Sequence, residues 1–136
     1  MNRKGFTLIE LLVVIGIIGI LTAFLVPMLM GVQDRAKEAG VKSVMHSVQI
    51  AVESYNMENG SYPIASGISL FNLVDNYLKV GGYMITVPKN PFTGKAYEEA
   101  DVAGKITYTC SADDNKYTLT AYKRDGSTKI QELTNM

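Results

Sequence analysis

Residues 11–30 form a run of twenty residues without a single charge, and one carboxylate, Glu10, stands immediately before it. At 1.5 Å per residue such a run makes a helix about 30 Å long, the thickness of the hydrocarbon core of a bilayer. A segment of this kind anchors the chain in a membrane. Arg3 and Lys4 lie ahead of it, and the positive-inside rule then keeps the N-terminus in the cytoplasm with the rest of the chain outside. A discarded secretory signal would have a shorter apolar region ending in a small-residue cleavage site. Here the nearest such stretch, Thr22-Ala23-Phe24, falls inside the run and before Pro27. A carboxylate near the middle of a spanning helix costs about 2.5 to 3.5 kcal/mol, so one at its edge persists where a partner neutralises it. A plain single-pass anchor has no use for Glu10, which therefore points to contact between copies.

The stretch Lys4-Gly5-Phe6-Thr7-Leu8-Ile9-Glu10, followed by the apolar run, resembles the leader and N-terminal segment of the type IV pilin and type II secretion pseudopilin superfamily. The resemblance implies that a prepilin peptidase cuts between Gly5 and Phe6 and methylates the new Phe6 amine. It implies that the apolar segment is kept, and that Glu10 pairs with the N-terminal amine of a neighbouring copy during assembly. The implied partners are further copies in a helical filament, the membrane, the peptidase, an inner-membrane assembly platform with its ATPase, and minor pilins. The implied location is the inner membrane and then a periplasmic or extracellular filament. In filaments of that superfamily the segment matching Gly19 to Pro27 loses its helical form. Here Gly19 and Pro27 are weak points on general grounds, since Gly costs a helix about 1 kcal/mol and an interior Pro about 3. Membrane helices tolerate both, so an intact helix is the alternative.

The chain thus divides into a leader at 1–5, a transmembrane and assembly helix at 6–30, an amphipathic half of the same helix at 31–59, and a small head at 60–136. Val41, Val44, Met45, Val48, Val52 and Tyr55 recur at spacings of three and four, which predicts a helix with one apolar stripe. Asn59-Gly60 ends it. The head is near the lower size limit for independent folding and uses that stripe for its core. Ser69 caps a short helix over 69–79, with Leu70, Leu73, Val74, Tyr77 and Leu78 facing inward. Residues 83–87 read as a brief extended segment before the Pro/Gly loop at 88–94. That loop resembles the turn before the sheet in major pseudopilins, although Asn90 and Phe92 stand where the family form has an acidic residue and Trp. Ile106, Tyr108 and Cys110 alternate, as do Tyr117, Leu119 and Ala121, which predicts a hairpin; a third strand follows over 128–133. The expected fold is α+β: a long N-terminal helix, one short helix and an antiparallel sheet packed on it.

Chemistry is sparse. One His, one Cys and scattered carboxylates give no nucleophile and base pair, so an enzyme is not expected, and His46 reads as a surface residue of the long helix. Cys110 is the single cysteine and reads as a small buried hydrophobe. Its solitude departs from the cysteine-paired adhesive pilins. Thirteen Lys and Arg balance thirteen Asp and Glu, without the basic patch that binds nucleic acid. No cofactor is expected. Asp113, Asp114, Asn115 and Asp125 lie in two turns and offer hard oxygen ligands that suit calcium, an ion that the resemblance also brings in; the favoured reading is that they simply build turns. The function favoured by the resemblance is a major pseudopilin of a type II secretion system, with a type IV pilin of a surface pilus as the alternative and a monomeric membrane-anchored binding domain behind both.

Overall fold

The structure, a computed structural model, describes residues 5–112 and 115–135. Arg3, Lys4, Asp113 and Asp114 therefore lie outside the described residues. The chain separates into two compact units, Met1–Arg35 and Ala36–Met136.

One helix, α1 (Leu8–Asn59), belongs to both. In the first unit residues 5–33 are all exposed, and the apolar character runs round the whole helix rather than along one face, as expected of a segment solvated by lipid. Pro27 lies inside α1 without ending it. Between Gly19 and Pro27, the Thr22 hydroxyl donates back to the Ile18 carbonyl one turn earlier.

In the second unit α1 turns amphipathic. Val41, Met45, Val48, Ala51 and Val52 are buried, with Val44 and Tyr55 packed at their margin, so the predicted stripe is the core face. Against it lies a four-stranded antiparallel sheet in the order β1-β2-β3-β4, with β1 at Ala65–Ser69, β2 at Ile106–Ser111, β3 at Lys116–Tyr122 and β4 at Lys129–Thr134. The alternating residues Ile106, Tyr108, Cys110, Tyr117, Leu119 and Ala121 are all buried. β2 and β3 pair in register from Ile106 with Ala121 to Ser111 with Lys116.

Two expectations need correction. The sheet has a fourth strand, β1, which is short, carries Gly67 at φ +64° and is bulged between Ala65 and Ile68; its small polar residues give no alternation to read. Residues 83–87 form no strand. Instead the amides of Tyr83 and Met84 both bond the Leu78 carbonyl, at 2.8 and 3.1 Å, and fold the segment back on the preceding helix. That helix is α2 (Leu70–Leu73), capped by the Ser69 hydroxyl as expected, and it runs on into a wide π-helical turn over Val74–Leu78.

β3 runs opposite to α1, which ties the head together at both ends. At one end Glu53 accepts hydrogen bonds from the phenols of Tyr62 and Tyr117, each at 2.9 Å. At the other, Lys123 lies 3.7 Å from Glu38. Tyr108 donates to the Pro63 carbonyl at 2.9 Å and Tyr97 to that of Gly104 at 2.9 Å. Burial pushes the phenols of Tyr97, Tyr108 and Tyr117 well above the usual tyrosine range. Among the described residues, no buried side-chain nitrogen or oxygen is left without a partner.

The loop between α2 and β2 is organised by Asn90, which is fully buried. Its amide donates to Asp101 at 3.1 Å and to the Ala103 carbonyl at 2.8 Å, while its oxygen accepts from the Phe92 amide at 2.9 Å. A carboxylate here could not donate either bond, which gives a physical reason for an amide at this position. The loop closes on α1 at Gly40, where a Cβ would stand 2.9 Å from the Pro91 ring.

Candidate functional site

The exposed N-terminal segment is the place where the sequence concentrates unusual chemistry. Phe6 is 77% exposed and extends from the start of α1, directly after Gly5. Thr7 stands at the N-cap position and Glu10 three residues on. The Glu10 carboxylate accepts from the Thr7 amide and the Thr7 hydroxyl, both at 2.8 Å, and the Glu10 amide donates to the Thr7 hydroxyl at 3.3 Å. This is a capping box, in which two otherwise orphaned N-terminal donors are satisfied reciprocally. The T-x-x-E spacing in the sequence is itself a helix-start signal, one that the charge of Glu10 does not reveal. Thr7 is thus the residue that orients Glu10, a role that charge alone does not point to.

The capping box fixes where the carboxylate points without neutralising it, because Thr7 brings no charge. Phe6, Ile9, Glu10, Val13 and Val14 line a shallow groove of about 320 Å³, so the acid stands in an apolar setting at the edge of the spanning segment. The helix is long and apolar enough to cross a membrane, and none of its most apolar stretch is buried by the chain itself. Such a surface requires lipid or other helices to cover it.

Gly19 and Pro27 lie within continuous helix, and a Cβ at Gly19 would meet nothing within 4 Å. Of the four candidate calcium residues, Asp113 and Asp114 lie outside the described residues, and the other two, Asn115 and Asp125, stand apart. Asn115 (φ +46°) precedes β3 and Asp125 follows it, so the seven residues of β3 hold them about 20 Å apart. The carboxylate of Asp125 is engaged in its own turn, accepting from the Thr128 hydroxyl, the Ser127 amide at 3.0 Å and the Thr128 amide at 2.9 Å. Those bonds, the Thr128 hydroxyl foremost, hold its carboxyl down at about 2.

A family model described as the prokaryotic N-terminal methylation motif matches residues 1–26. The type II secretion system core protein G of Klebsiella pneumoniae is 34% identical over 105 residues, which cover 71% of this chain and 74% of the relative. That of Vibrio cholerae serotype O1 is 31% identical over 121 residues, or 82% of each chain. The type IV wide pilus major component PilA4 of Thermus thermophilus is 46% identical over 61 residues, 45% of this chain and 47% of its own. No solved structure matches. The chain belongs to the type II secretion system core protein G family, within the pilin and pseudopilin superfamily.

Proposed function

We propose that the chain is a structural subunit of a type IV pilus-like filament, namely the major pseudopilin of a type II secretion system. The observation that carries this reading is the Thr7–Glu10 box at the head of an uncovered apolar helix. In the mature chain, cleavage between Gly5 and Phe6 by a prepilin peptidase places a methylated amine one residue before the box. The amine of one copy and the Glu10 carboxylate of its neighbour then offset each other's burial in a bundle of α1 helices and fix the axial register. Thr7 holds the carboxylate ready, so the entropy of ordering that side chain is spent in folding the monomer. The subunit waits in the inner membrane until an assembly platform and its ATPase extract it, and melting between Gly19 and Pro27 lengthens it on assembly. The second reading, a surface pilus, is favoured by the similarity to PilA4 over 61 residues.

The first test is the intact mass and N-terminal sequence of the membrane-extracted protein from cells with a prepilin peptidase, where a chain starting at methylated Phe6 is expected. Retention of residues 1–5 would instead leave a monomeric anchor. Glu10→Ala should insert into the membrane at the wild-type level yet give no ordered filaments by electron microscopy of sheared cells. Normal filaments from that variant would remove the proposed pairing.

A further inference from the structure

A filament of identical subunits grows through heterologous contacts, in which two different patches of one subunit meet the opposite patches of its neighbours. The head carries two such patches, one at each end of its share of α1. At the far end, Tyr55, Tyr77, Tyr83 and Val80 line a notch of about 220 Å³, together with Asn59 and Asn76. Val80 is 80% exposed, and its position is fixed. A Cβ at Gly81 would stand 2.1 Å from the Tyr83 ring, so this glycine lets the ring fold back over the chain. The ring meets Tyr55 edge-on at 5.5 Å between centroids. Its phenol donates to Glu58 at 2.8 Å and accepts from Asn59 at 3.0 Å. A rigid wall of tyrosines with an aliphatic rim and amides beside it has the anatomy of a protein-binding hot spot.

At the end where α1 enters the head, Val102 is 59% exposed and rests on Gly126, whose Cβ would stand 2.6 Å from the valine methyl. Phe92 lies in the adjoining loop with Lys37 5.8 Å from its ring, and Lys89 and Lys95 are exposed on the same loop. Of the acids nearby, Glu38 is paired with Lys123, while Asp101 and Asp125, beside Gly126, are held by neutral hydrogen-bond donors in their own loops. One end is thus an apolar notch beside the Glu58 carboxylate, and the other an apolar knob flanked by the Lys37, Lys89 and Lys95 side chains and by acids held in their own loops. About 20 Å of helix separates Gly40, under the Phe92 loop, from Tyr55, so one head cannot fill its own notch.

Resting on the filament reading above, we propose that heads dock end to end, with the Val102 knob of one copy seated in the tyrosine notch of a second copy. The notch has room for one aliphatic side chain, and the partner's lysines come to lie by Glu58. The contact would give the heads their own axial register, independent of the one that Glu10 sets among the helices.

The test uses the full-length chain carrying Val80→Cys with Val102→Cys, produced in cells that assemble it. The native Cys110 is buried and does not compete. Oxidised, sheared filaments should give a ladder of dimers, trimers and longer species on non-reducing gels, which neither single variant gives. Filaments without a ladder, or an equal ladder from the control pair Val80→Cys with Ile50→Cys, would overturn the contact. Val80→Asp supplies an independent measurement, because an exposed side chain is replaced and the head should stay folded. Filament number is expected to fall at least tenfold while processed subunit in the membrane stays at the wild-type level; undiminished filaments would again overturn it. Absence of filaments from the wild-type chain would strike the function itself, and this contact with it.

Discussion

The two halves of α1 have the same backbone, but they are covered by different things. In the half that belongs to the second unit, five residues are buried by the head's own sheet. In the half that belongs to the first, residues 8–33 are exposed throughout. The difference lies both in how many apolar residues each half carries and in how they are placed. A stripe with Lys42, Ser43, His46 and Ser47 on the opposite side can be covered by one small sheet, whereas a helix that is apolar all round needs a solvent or several neighbours. The first half is therefore written for an environment and the second for a partner already in the chain. The proposed assembly role belongs to the uncovered half, which the chain itself leaves open to lipid and to other copies.

The sharpest way to break this comparison is to make one deletion in both halves. Met45 is fully buried and Met28 is 73% exposed, on the same helix. Met45→Ala is expected to cost the head about 2 to 5 kcal/mol, through lost transfer energy and a residual cavity. Met28→Ala should leave head unfolding unchanged, because no core contact is lost. Urea titration of the detergent-solubilised chain, followed by tyrosine fluorescence, measures both. An equal loss in the two variants would mean that the halves are not energetically separate.

A smaller effect distinguishes the glycines. Gly40 lies under Pro91, whereas Gly19 faces open space. Gly40→Val forces a methyl-bearing carbon onto a stiff ring and is expected to destabilise the head by about 1 to 3 kcal/mol, more than the helix-propensity gain of under about 1 kcal/mol restores. Gly19→Val meets no such obstacle and should be neutral for the head. If Gly40→Val raises the midpoint of urea unfolding instead, the close approach of the loop is not a constraint.

What could be read from the sequence followed the same division. The spanning run, the core stripe from Val41 to Tyr55 and the alternation in β2 and β3 were legible because each buries side chains at a fixed period. β1 was not, since Ala65-Ser66-Gly67-Ile68-Ser69 is held by backbone pairing to β2 and shows no period. Residues 83–87 looked extended because their apolar content suggested a strand. Their amides turn back to Leu78, a tertiary choice enabled by Gly81 and by Gly82 at φ +77°. At the site itself, Glu10 stood out by its charge in an apolar setting, while Thr7 was overlooked as an ordinary polar residue. Of the two turns considered for calcium, the described residues Asn115 and Asp125 stand at opposite ends of β3, a separation set by strand order, which cannot be counted off a sequence.

Acid sensitivity gives the smallest effect and separates the halves most cleanly, since residues 11–30 contain no titratable group at all. In the head, Asp125 has its carboxyl held at about 2, below the ordinary 3.8, by the hydrogen bonds of the β3–β4 turn. A depressed folded value means that the charged form is favoured in the fold. Its contribution is therefore fully present above pH 4 and is lost as pH falls through the window from about 4 to about 2. Asp125→Asn removes that titration while keeping an oxygen that can accept from Ser127 and Thr128. Protection of the β4 amides, taken as exchange relative to the intrinsic rate at each pH from 4.5 to 2, should fall more steeply in the wild type than in the variant. The helix over 11–30 should respond equally in both. If the wild type and Asp125→Asn have the same pH slope in β4, then the turn does not hold its charge as the geometry implies, and the strand is stabilised by its pairing with β3 alone.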